Sequence, residues 1–143
     1  MPSQAKPQIV FKSIKTQLNK VDFKKLDDNS VNYNVVVKNK IVIKKIDKSG
    51  FELQASRKLS FKPKGAFEVL VQFDLDCKFD DKSKKHYNGD IEEIEKFINK
   101  RKVSIFNSTE AGNFMSMIIG QLTLVDSKRS ILIAPFIIEK ELV

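Results

Sequence analysis

The chain carries one cysteine, one histidine and five glycines in 143 residues, and each shortage removes a class of chemistry. Cys77 alone cannot form an internal disulfide, which agrees with a reducing, cytoplasmic setting. His86 lies in "KSKKHYNGD" with no second histidine or cysteine beside it, so a zinc site lacks its ligands. Gly50, Gly65 and Gly89 fall in turns, and no glycine-rich phosphate loop remains. No apolar run reaches the ~20 residues that a membrane span needs. Residues 1–7 are polar without an apolar core, so no secretory leader is expected. No cofactor and no catalysis are expected either.

Arginine is scarce too. The positive charge is almost all lysine, with Arg57, Arg101 and Arg129 the exceptions. The net charge of +8 raises nucleic acid and acidic partners as candidates. Lysine spread along the whole chain reads better as a solvated surface, since arginine is the preferred fork for phosphate and base edges. The lysine-rich stretches Lys82-Lys84-Lys85 and Lys100-Arg101-Lys102 keep an anionic partner as the second reading. Asp74 and Asp76 share one strand face, and paired carboxylates can do acid–base work. Here they sit among lysines on a wet face.

What is present is alternation. Phe67, Val69, Val71, Phe73, Leu75, Cys77 and Phe79 take every odd position, between polar residues with Leu70 the exception. That is a strand with one apolar face. Phe51, Leu53, Ala55, Leu59 and Phe61 do the same, and "KPKGA" joins the two as a hairpin turn. Upstream, Val31, Tyr33, Val35, Val37, Ile41 and Ile43 share a face that Asn39 interrupts, a place for a bulge. The first segment changes phase between Phe11 and Ile14, as a bulged or edge strand would.

After Phe79 the pattern changes. "DDKSKKHYNGD" reads as a polar loop. Asp90 caps a short helix with Ile91, Ile94, Phe97 and Ile98 on one stripe. Ser108 or Thr109 then caps a second helix. Ala111, Phe114, Met115, Ile118, Leu122 and Val125 form one side of it, and Met117, Ile119 and Leu124 spread onto the other. A surface helix keeps a polar face. This one barely does, so it should be covered on both sides, by the sheet and by a second chain or ligand.

The expected fold is α+β: a four-stranded antiparallel meander with two C-terminal helices on one face. It forms a single domain over 1–143, with the sheet at about 7–80, the helices at about 90–126 and an extended segment at 129–143.

This order resembles the SecB family of export chaperones. The likeness is clearest in "NFMSMIIGQLTLVDSKRSILIAPFI", a long helix, a polar turn and a closing "LIAPFI". Phe114 and Leu122-Thr123 fall where that family has apolar and small helix residues. "FELQASRKLSFKPKGAFEVLVQFDLDCKFD" is similar in style to its middle hairpin, and "IVFKSIKTQLNKVDFK" more loosely to its first strand. Two departures stand out. The helix lacks the family's opening proline and its aromatic-Ala-Arg-Glu run, and the chain is basic where the best-known members are acidic and reach SecA through acidic sheet residues. The resemblance implies a non-enzymatic holdase for unfolded or apolar polypeptides, or a module for a dedicated protein partner, assembled as a dimer or tetramer. A non-catalytic accessory protein that keeps the fold without export function is the remaining reading. Candidates for the client groove or the interface are Phe114, Met115, Met117, Ile118, Ile119, Leu122, Leu124, Leu132, Ile133 and Phe136.

Overall fold

The computed structural model describes residues 9–26, 34–62, 67–127 and 131–143, with the side chains of 125–127 excepted. The turn expected at "KPKGA", Val31, Tyr33 and the Val125 side chain lie outside the described residues. Four strands, β1 (Phe11–Lys25), β2 (Asn34–Asp47), β3 (Gly50–Lys62) and β4 (Phe67–Phe79), are followed by α1 (Asp81–Tyr87), α2 (Ile91–Asn107) and α3 (Ala111–Ser127). The chain ends in a short 3-10 turn, Glu139–Glu141.

The sheet is antiparallel in the order β1-β4-β3-β2. Strands β2, β3 and β4 run on as a meander, and β1 returns to lie along the far side of β4. The alternating residues occupy one face: Leu53, Ala55, Leu59, Val69, Val71, Leu75, Cys77 and Phe79 are fully buried. Each large apolar side chain so buried contributes ~1.5–3 kcal/mol. Strand β1 is an edge strand with irregularities between Phe11 and Ser13 and between Leu18 and Lys20, which accounts for its change of phase. In β2 the irregularity lies between Ile43 and Lys45, and not at Asn39, which stays in register opposite Arg57.

At one end of the sheet the rings of Phe11, Phe51 and Phe79 pack against each other, and Tyr87 and Phe97 close over them. Tyr87 is there because "DDKSKKHYNGD" is largely helix rather than loop. The Asp80 carboxylate caps α1 by accepting from the Ser83 amide at 2.8 Å. Lys84, Lys85 and His86 occupy its last turn, where positive charge favours a helix C-terminus. Ser83 ties α1 to β1, its hydroxyl accepting from the Val10 amide and donating to the Val10 carbonyl. The Asn-Gly pair is then a left-handed helix stop, with Asn88 at φ 48° and Gly89 at φ 72°. Helix α2 runs beyond "DIEEIEKFINK" to Asn107, because Ile105 and Phe106 extend its buried stripe past the charged Lys100-Arg101-Lys102. Ile91, placed on that stripe from the sequence, is exposed.

The turn between β2 and β3 is set by Asp47. One carboxylate oxygen accepts from the Ser49 amide at 2.8 Å, the Ser49 hydroxyl at 2.6 Å and the Gly50 amide at 3.1 Å. The two Ser49 bonds, the hydroxyl's first, hold the Asp47 carboxyl below the usual range, with the charges of Lys45 and Lys78 adding to them. Gly50 sits at φ 155°, and a Cβ there would run into the Cys77 carbonyl. Gly50→Ala should therefore cost about 1–3 kcal/mol in urea unfolding through forced backbone shifts; an unchanged midpoint would contradict the close approach.

Burial, and secondarily the charge of Asp76, pushes the Cys77 thiol up to about 12. The folded chain thus holds this proton more tightly than the unfolded chain, whose thiol ionises near ~8.5. The stabilisation is fully present below that pH and declines as pH rises toward the folded value. The advantage of the native protein over Cys77→Ala should shrink by about 1.4 kcal/mol per pH unit above pH ~8.5, read from urea midpoints between neutral and alkaline pH.

Candidate functional site

Helix α3 presents two apolar lines. Ala111, Met115, Ile119 and Thr123, spaced by four, face inward and are fully buried. Ile118 and Leu122 flank that line, half-buried against the core. Phe114, Met117 and Leu124 point away and remain 40%, 51% and 50% exposed. One sequence placement is thereby corrected: Ile119 is core rather than outer face, because the buried line follows the i, i+4 spacing through Ala111. Met115, a candidate for the groove or the interface, is fully buried in that same line. Phe114 sits at the boundary: its ring stacks on Phe73 at 6.3 Å while its other face is open. Leu18 of β1, opposite Phe73 in register, is also exposed and carries the apolar surface on to the sheet edge.

The second part of the site is the C-terminal segment. Residues 131–143 form a strap that runs antiparallel to α3 and then crosses to β2. Thr123 Oγ1 accepts from the Ile131 amide at 2.8 Å. The Arg57 guanidinium donates to the Ala134 carbonyl at 2.9 Å. The strap's main chain then lies so close to Gly112 that a Cβ there would strike the Pro135 carbonyl. The Asn107 side-chain amide holds Ile137 at two points, donating to its carbonyl at 2.9 Å and accepting from its amide at 2.8 Å. At its end the Val143 amide donates to the Asn39 carbonyl at 2.9 Å, beside a parallel bridge between Leu142 and Asn39. Of the strap's candidate residues, Leu132 and Phe136 are exposed and Ile133 is half-buried. Ile137, which was not a candidate, is buried.

Arg57 joins these parts. It lies fully buried on the apolar face of β3, in the odd position that its alternation skips. Its Nε donates to Asn39 Oδ1 at 2.8 Å and its Nη1 to Ser116 Oγ at 2.8 Å as well as to the strap. Burial lowers its pKa, and the charge of Glu141 on the strap opposes that shift. Asn39, the break in the β2 pattern, was the visible half of this pair; neither it nor Arg57 was singled out from the sequence as a functional residue. Asn107, Gly112 and Ser116 gave no signal in the sequence, and Thr123 entered only through the likeness of α3 to the SecB family's helix.

The opposite face of the sheet is wet. Lys15, Gln17, Lys45, Glu52, Asp74, Asp76 and Lys78 line a shallow open depression of about 270 Å³. Asp76 is 3.7 Å from Lys78, and Asp74 accepts from the Asn19 side chain at 2.8 Å. The signs of charge are mixed, so the depression favours neither an anion nor a cation. Cys77 is buried on the other face, and His86 packs edge-on against Tyr87 at 5.1 Å, so the two are not brought together. Among the described residues no helix is long and apolar enough to cross a membrane.

Asn39→Ala should cost about 1–3 kcal/mol, because it leaves a buried charged donor unpaired. In an Arg57→Met background the same change should cost at least ~0.5 kcal/mol less. Strict additivity in the double-mutant cycle would show that the two side chains are not coupled. Family models, curated proteins and solved structures were all compared with the chain, and none matches it.

Proposed function

We propose that this chain is a non-enzymatic polypeptide-binding module of the SecB type, a cytoplasmic holdase that covers apolar segments of unfolded chains. The observation that supports it most directly is the set of large apolar side chains left exposed, Phe114, Met117 and Leu124 on the outer line of α3 and Leu132 and Phe136 on the strap, each between 40% and 85% exposed. Exposed large apolar side chains grouped on one helix line mark contact sites, and burial against a partner is the driving force they offer. Met117 suits this role because an unbranched thioether adapts to partners of varied shape. The same line serves self-association into a dimer or tetramer, which leaves the strap side for clients. An apolar surface rather than a basic groove favours polypeptide over nucleic acid, and the mixed charge of the wet face points the same way.

The test is oligomeric mass by light scattering together with suppression of aggregation of a reduced, unfolded client. Wild type should form a dimer or tetramer and hold the client at low and high salt alike. Met117→Asp combined with Leu124→Asp should lose both properties while the circular dichroism spectrum is retained, since both side chains are exposed. A monomer with no effect on the client overturns the proposal. Nucleic-acid binding that collapses with salt, through counterion release, would favour the alternative.

A further inference from the structure

We infer that the strap occupies a binding groove for an extended polypeptide main chain, and that the chain's own C-terminal segment is its resident, displaceable occupant. This deepens the polypeptide-binding reading and rests on it for the class of ligand. The groove lies between α3, the end of α2 and the apolar face of β3. Among the described residues its hydrogen bonds to 131–137 go to main-chain atoms, at three-residue intervals: Thr123 to the amide of Ile131, Arg57 to the carbonyl of Ala134, Asn107 to both the amide and the carbonyl of Ile137. Gly112 leaves room for a backbone, not a side chain, at Pro135. A groove that reads amides and carbonyls accepts many sequences, as peptide sites built on main-chain bonds do.

The occupant's side chains are only partly engaged: Leu132, Ala134, Pro135 and Phe136 are exposed, Ile131, Ile133 and Leu142 are half-buried against the core, and among residues 131–137 only Ile137 is buried. Such a segment can leave without opening the sheet core. Its departure strands the buried Arg57 donor, so the groove favours refilling by another main chain over standing empty. The ligand is therefore an extended peptide with an aliphatic residue at the position of Ile137 and free choice at the positions of Leu132 and Phe136.

The test uses the full chain and a fluorescent synthetic peptide of residues 130–143. Ile137→Asp loosens the resident segment and leaves the groove intact. The peptide should bind this variant at least tenfold more tightly than wild type. A peptide with N-methyl-isoleucine at the Ile137 position, which cannot donate to Asn107, should not bind either protein. Native-state hydrogen exchange on the wild type checks the same idea without a variant: the amides of Ile131, Ile137 and Val143 should exchange at least a hundredfold faster than those of β3 and β4. Equal binding to both proteins, undiminished binding of the methylated peptide, or strap amides that exchange only with global unfolding would each overturn the inference. Clients held without any peptide uptake would sink this inference alone. Peptide uptake without any client held supports it and removes the holdase reading.

Discussion

The guanidinium of Arg57 carries its charge into the layer between sheet and helices, and its surroundings are arranged around that fact. A buried charge left unanswered costs several kcal/mol. No single element answers this one. Asn39 comes from β2, Ser116 from α3 and the Ala134 carbonyl from the strap. The sheet and the long helix are thus held in one register by this group, which also requires a main-chain carbonyl at the place that Ala134 fills. Apolar packing alone would not do this, since hydrophobic contact is non-directional and tolerates a slipped helix or a shifted strap. The directional bonds of Arg57 select one arrangement among several that would bury similar area.

That arrangement divides the apolar content of α3. A helix of this composition has too many large apolar residues for one core-facing stripe. The sheet takes Ala111, Met115 and Ile119, and the strap takes the flank beside Gly112, Ser116 and Thr123. Phe114, Met117 and Leu124 are the remainder. The question raised by a helix without a wet side has a two-part answer: the strap covers one flank, and the outer line stays open.

How much of this was legible depended on whether the signal was periodic. Strands β3 and β4 alternate so cleanly that faces and burial followed residue by residue, and the phase change in β1 marked its edge position. Three features escaped. Helix α1 looked like a loop because six of its seven residues are polar or charged; its existence rests on the Asp80 cap and on Tyr87, a single anchor without a period. The faces of α3 could not be phased because apolar residues occur all round it, so Ile119 went to the wrong side. Arg57 was passed over because a strand face with one polar residue among five apolar ones still reads as alternating. Its partner Asn39 was noticed, but as a flaw in the ladder. Two flaws on neighbouring strands were one interaction, and register alone joins them.

The strap shows why such a feature lies beyond pattern reading altogether. Its hold depends on side chains from α2, α3 and β3 meeting main-chain atoms, and main-chain atoms are the same in every sequence. The pairing therefore leaves no mark on the strap's own residues beyond Ile137. That same anonymity bears on function. Regions that open in use come from the weakly stabilised part of a structure. The fully buried sheet core cannot be that part, whereas a segment with one fully buried side chain between residues 131 and 137 can. Stability concentrated in the β3–β4 core and around Arg57 leaves the α3 groove free to exchange its contents while the scaffold that shapes it stays folded.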